Sequence, residues 1–159
     1  MTIQVPVKER ILRQVKKNLE AFTAGANNGI YFQFVTREEL VEEKISQGTS
    51  IAILDADESY VYQTAYLSVS MQVGFDIAIK LKKGDVPSEK LGAVFAELKR
   101  VLLSDYNLIE DETAAQLCEN IQVRDYLPDR AGPNDDVATA FANFDFIYRE
   151  DKQDPYQLM

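Results

Sequence analysis

The sequence predicts an α+β fold: a mixed or antiparallel sheet of about five strands, the third of them over-long, with helices packed on one face. Three observations carry this. From Leu67 to Leu81 every odd position is apolar and the even ones are Ser68, Ser70, Gln72, Gly74, Asp76, Ala78 and Lys80, the period of a strand with one face on a core. Two stretches, Val7 to Phe22 and Leu91 to Leu102, repeat apolar residues at spacings of three and four, the period of a helix with one buried stripe. Shorter β-branched, aromatic or alternating runs bounded by turn residues make up the other strands.

In chain order, Pro6 suits a helix's first turn, and Val7, Ile11, Leu12, Val15, Leu19 and Phe22 make its apolar stripe. Gly25 and the cluster Asn27-Asn28-Gly29 end that helix in a turn. Ile30 to Thr36 reads as a strand, 37–47 as an acidic short helix or ordered loop around Leu40, Val41 and Ile45, and Ile51 to Leu54 as a short buried strand. Asp55, Asp57 and Glu58 then read as a turn; the pattern lacks the glycine and distal glutamate of a calcium loop. After the long strand, Lys82 to Asp85 is a turn, and Pro87 opens a helix running to Leu103, with Leu91, Val94, Phe95, Leu98, Val101 and Leu102 facing the sheet. Glu110 to Glu119 reads as a short helix, Ile121 to Leu127 as a strand, and Pro128 to Asp136 as a turn. Val137 to Tyr148 is the last strand, with Phe144, Phe146 and Tyr148 behind the small set Ala138, Ala140 and Ala142. The chain suits one domain, 1–159, ending in a polar tail at 151–159.

The long strand is the element with functional content. Fifteen residues at roughly 3.3 Å each would span about 50 Å, more than a small domain needs. Either Gly74 marks a bend or bulge, or one end leaves the core as a ribbon toward another subunit. The ribbon reading puts Tyr60, Tyr62 and Tyr66 at one end, and Lys80 and Lys82 at the other, near neighbouring subunits.

Composition excludes several classes of chemistry. Histidine is absent, which removes the commonest general base, triad partner and metal ligand together. Cys118 is the single cysteine, so no intrachain disulfide forms, and it reads as a small buried side chain. No glycine-rich phosphate loop occurs, and no cofactor or metal site is expected. No apolar run approaches a membrane span and no export signal is evident, so a soluble protein is expected.

Net charge is −9, against tight binding of a phosphate backbone over most of the surface. The charge comes in blocks: residues 1–24 carry +3, 37–59 carry −5 and 105–136 carry −7. Such blocks suit complementary faces meeting between identical subunits, or separate solvated faces. The basic face of the first helix, with Arg10, Arg13, Lys16 and Lys17, is expected to meet solvent or a protein neighbour.

Along nearly its whole length the chain resembles the tail-terminator (tail-completion) proteins of long-tailed bacteriophages. The likeness lies in Val5 to Phe22 as the N-terminal helix, three strands with an over-long third, the helix Pro87 to Leu103, and two closing strands. The ending Phe146-Ile147-Tyr148-Arg149-Glu150-Asp151-Lys152-Gln153-Asp154-Pro155-Tyr156 is similar to that family's final strand, with its Tyr, acidic stretch and Asp-Pro. The chain departs from the family at Leu108-Ile109-Glu110, where many members have Leu-Gly-Gly. The resemblance implies a non-enzymatic virion protein, assembled in the host cytoplasm. It implies a homohexameric ring on the tail tube that stops tube polymerisation, meets the head-completion or connector protein, and lets DNA pass without specific binding. A lumen lined by carboxylates would repel phosphates and let DNA slide. Glu38, Glu39, Glu42 and Glu43, then Asp111 and Glu112, are the candidates for that lining or an acidic surface. The basic helix face (Arg10, Arg13, Lys17), the tyrosines and the two lysines are the candidates for subunit contacts. Competing readings are another neck, tube or baseplate-hub subunit, a small-ligand-binding α+β module, and an enzyme using carboxylates and tyrosines.

Overall fold

A computed structural model describes residues 3–21, 30, 32–40, 48–129 and 136–159. In chain order its elements are α1 (Val7–Glu20), β1 (Phe32–Thr36), β2 (Thr49–Tyr62), β3 (Leu67–Lys80), α2 (Pro87–Ser104), β4 (Asn120–Pro128) and β5 (Val137–Glu150). The fold is α+β. The strands lie in the order β1-β2-β3-β5-β4, with β1 parallel to β2 and the other neighbours antiparallel, so the sheet is mixed.

The alternation in β3 becomes burial directly. Val69, Met71, Val73, Phe75 and Ile77 have no exposed surface, and the even positions are half-buried apart from Gly74 and Ala78. On the same face β5 contributes Ala138, Ala140, Ala142, Phe144, Phe146 and Tyr148, because residues opposite one another in an antiparallel pair share a face. The apolar stripes of α1 and α2 close this face. Phe95 of α2 stacks on Tyr126 of β4 at 4.2 Å between centroids, and Phe144 meets Phe75 edge-on at 5.4 Å. Each such buried ring contributes roughly 1.5–3 kcal/mol from area alone, so this layer is the main source of stability.

The length of β3 has a different cause from either sequence reading. β2, β3 and β5 are each 14 residues long, and β3 is paired on both sides from Leu67 (with Tyr62 and Glu150) to Lys80 (with Val137 on β5). No ribbon leaves the sheet. Pairing also runs through Gly74 without a shift; the bulge lies in β2, between Asp55 and Glu58. Gly74 serves packing instead, since a Cβ there would stand 2.5 Å from the ring of Phe141. Asp55 to Glu58 is therefore part of a strand, and Tyr60 and Tyr62 end β2 rather than begin β3. The hairpin turn follows at 63–66, closed by Gln63 N–H donating to the carbonyl of Tyr66 at 2.9 Å.

The expected helix at Glu110–Glu119 is a folded-back loop. Leu108 and Ala114 have left-handed backbones (φ 49° and 59°), which an α-helix cannot contain. Cross-loop bonds replace the helical ones: Glu110 N–H to Ala115 O (2.8 Å), Leu117 N–H to Leu108 O (3.0 Å) and Cys118 N–H to Asn107 O (2.9 Å). Leu108, Leu117 and Cys118 reach the core as a result. The C-terminal segment also folds back, pairing Leu158 with Glu150 and offering the Pro155 carbonyl to the first helical N–H of α1, Val7, at 3.1 Å.

Phe22, the Gly25 to Gly29 turn, the Val41 and Ile45 part of the acidic segment, and most of the Pro128–Asp136 turn lie outside the described residues.

Candidate functional site

Two surfaces gather the residues singled out in the sequence. The first is a charged seam. Arg10 sits one turn into α1 and donates through Nε and Nη2 to the two carboxylate oxygens of Glu110 at 2.9 and 2.8 Å. Glu110 also accepts from the hydroxyl of Thr113. The Arg10 guanidinium holds the Glu110 carboxyl below its usual range, against the opposing effect of burial. One turn on, Gln14 accepts from the backbone N–H of Asp111 at 3.0 Å; Lys17 then pairs with Glu112 at 3.1 Å. The seam therefore joins the +3 block to the −7 block within one chain, an outcome neither of the two sequence readings, subunits meeting or separate solvated faces, describes.

A similar set pins the start of α1 to the bulge of β2. Lys8 pairs with Asp55 (2.8 Å) and more loosely with Glu58 (3.6 Å), while Arg37 pairs with Glu9 (3.0 Å). The Lys8 partner lowers the Asp55 carboxyl, and Arg37 lowers that of Glu9.

Lys16 reaches Glu20 within α1 at 3.8 Å, which leaves Arg13 as the basic-face cation with no hydrogen bond or ion pair among the described residues; it is exposed and feels the charge of Glu9 one turn earlier. It stands on an open groove of about 560 Å³ between α1, the Glu110 to Thr113 loop and the tail, which contributes Tyr156 and Gln157.

The second surface is the free end of the β2–β3 hairpin. Tyr60, Val61 and Tyr62 are 49%, 57% and 76% exposed. The Tyr60 hydroxyl donates to the Glu58 carboxylate, which pushes the phenol up to about 12. Tyr62 has no such bond among the described residues. Tyr66 is half-buried under the guanidinium of Arg149, 4.2 Å from its ring centroid, so it fastens the hairpin to β5 and is less available than its neighbours. Glu150 lies beside this end; burial, then Glu58, raises its carboxyl.

The remaining candidates are scattered. Lys80 pairs with Asp136 at 2.6 Å at the opposite end of β3, and Lys82 is exposed in the turn beyond it. Glu38 and Glu39 are exposed after β1, and the charge of Glu39 adds to burial in raising Asp76 on the open sheet face. Glu42 and Glu43 lie outside the described residues. Of the described acids proposed for one lining, Glu38 and Glu39 follow β1, whereas Asp111 and Glu112 belong to the loop against α1.

Sequence reasoning missed Glu110, Glu58 and Val61. Glu110 is 100 positions from Arg10, and no local pattern signals that pairing. Val61 was legible only once Tyr60 and Tyr62 were known to end a hairpin. Burial raises the Cys118 thiol, in keeping with a core side chain. Among the described residues no helix is long and apolar enough to cross a membrane, and no three acids or thiols gather for a metal ion. A scan against protein-family models finds no match for this sequence, and a search of curated proteins finds no significant match either.

Proposed function

We propose that this protein is a structural subunit of a bacteriophage tail. In this reading it caps the tail tube as a homohexameric ring, ends tube polymerisation, and provides the face met by the head-completion or connector protein. DNA passes through the ring without specific binding, and no catalysis is involved.

The observation that carries this reading is the hairpin end, where Tyr60, Val61 and Tyr62 stand exposed together on rigidly paired strands. Tyrosines of this kind, large, stiff and amphipathic, are the residues that anchor protein–protein contacts. The element order, one helix, three strands, one helix and two strands, agrees with the order on which the family resemblance rests. The excess of acid over base suits a ring whose channel must not hold DNA.

Electron microscopy of the purified protein mixed with growing tail tubes tests it. Sixfold rings at one tube end, with tubes of uniform length, are expected. A protein that stays single at high concentration and leaves tube ends bare contradicts it. A nucleotide or other small ligand that raised the melting temperature would instead favour a ligand-binding module.

A further inference from the structure

We propose that the hairpin end of one copy seats in the α1 groove of the next copy, Tyr62 against the Tyr156 wall and Asp57 against Arg13. The inference rests on the ring reading above and deepens it by naming the two faces that meet.

Three features of the molecule lead to this pairing. First, the two patches complement each other in charge. From Asp57 to Tyr66 the chain carries two acids and no base, and Asp57 is exposed without a partner among the described residues. The groove holds Arg13, the basic-face cation that the seam leaves without a partner. Arg13 otherwise feels only the charge of Glu9 one turn earlier, so bringing Asp57 to it gives both groups a direct ion pair, which adds orientation and association rate more than raw affinity. Second, the patches complement each other in polarity. The hairpin end bears the exposed Tyr60, Val61 and Tyr62; the groove is an open trough of about 560 Å³ with Val5 and Tyr156 among its walls. Tyr156 is 39% exposed and offers an aromatic face to an incoming ring.

Third, the hairpin end is held in place within its own chain with its aromatic side chains still exposed. Leu67 is paired with both Tyr62 and Glu150, the Tyr66 ring lies against Arg149, and Lys152 Nζ donates to the carbonyl of Thr64 at 3.1 Å. These contacts fix the turn while Tyr60, Val61 and Tyr62 stay open to solvent. A contact between two different patches is heterologous: each copy uses one face to give and the other to receive, so the chain of copies closes into a ring when the rotation allows. A two-fold contact of hairpin on hairpin would bring two acidic patches together with no base between them and would stop at a dimer.

The test uses the full chain and four variants, Y62S, D57K, R13E and the double variant D57K/R13E, with mass measured by light scattering. All three positions are exposed, so each variant should melt within a degree or two of the wild type. Y62S and R13E alone are each expected to weaken association about tenfold or more. The double charge exchange should recover most of the loss. Mixing Y62S with R13E is the decisive arm: each retains the face that the other lacks, so the mixture should form a one-to-one complex that grows no further. Rings from the wild type, with both variants assembling normally or the mixture staying monomeric, overturn the hairpin-to-groove contact and leave the ring reading standing. A wild type that stays monomeric up to about 1 mM overturns both.

Discussion

The α1 seam and the β2–β3 hairpin end contain similar chemistry, charged groups beside apolar ones, yet the molecule treats them oppositely. At the seam the charges are answered inside the chain: Arg10 by Glu110, Lys17 by Glu112, and Lys8 by Asp55. At the hairpin end two of the three apolar side chains are aromatic and solvent-facing, and burial, then the charge of Glu58, raises the Glu150 carboxyl. The seam contributes to stability; the exposed hairpin end contributes little to it. A block of charge in a sequence thus says where complementarity is needed, not whether the complement lies in the same chain.

The largest effect that would break this contrast is loss of Glu110. Glu110→Ala strands Arg10 and frees the 105–119 loop, and should cost about 2 kcal/mol in urea denaturation, the scale of a hydrogen bond to a charged group. Tyr62→Ser should leave the urea midpoint almost unchanged. If the two variants were equally destabilised, the division of labour between the regions would be wrong.

Acid should separate the regions next, with opposite signs. Glu110, Glu9 and Asp55 are held below their ordinary range by Arg10, Arg37 and Lys8, respectively. Their stabilisation is complete above the unfolded values near about pH 4 and is lost as pH falls through the folded values. Glu150 is raised by burial, so the folded chain binds its proton first and gains stability as pH falls through that raised value. Glu150→Gln should therefore stabilise the protein at pH 7 and lose that advantage below pH 4. Glu110→Gln should destabilise it at pH 7, with the deficit shrinking as pH falls toward 2. Urea midpoints at the three pH values check both.

The pattern of agreement between sequence and structure follows from which interactions are local. β3 was legible to within one residue because alternation is a local property and one slip would invert both faces. The stripes of α1 and α2 were legible for the same reason. The loop at 105–119 was not, because Ala114, Ala115, Leu117 and Cys118 fit helical spacing while the left-handed Leu108 and the distant Arg10 decide the outcome. The meaning of Gly74 was misread because the ring it seats, Phe141, belongs to a strand 67 positions later. Of the candidate contact residues, Tyr60 and Tyr62 could be chosen as aromatic and near a strand end; their exposure depended on where the hairpin turns.

The smallest expected effect belongs to the outermost pair. Lys17→Ala removes an ion pair with a carboxylate that is three-quarters exposed, and should cost under about 0.5 kcal/mol, vanishing in high salt. A larger loss would mean that the seam is continuous to its outer edge instead of resting on Arg10 and Glu110.

Hydrogen exchange measured on the full chain, free and bound to tail-tube ends, tests the central contrast most directly. Backbone amides of Ser59 to Tyr66 should become strongly protected on binding, while those of Leu117 and Cys118, bonded within the loop and away from the groove lining, keep the protection they already have in the free chain. Protection gained at Leu117 and Cys118 with the hairpin end still exchanging freely would contradict it.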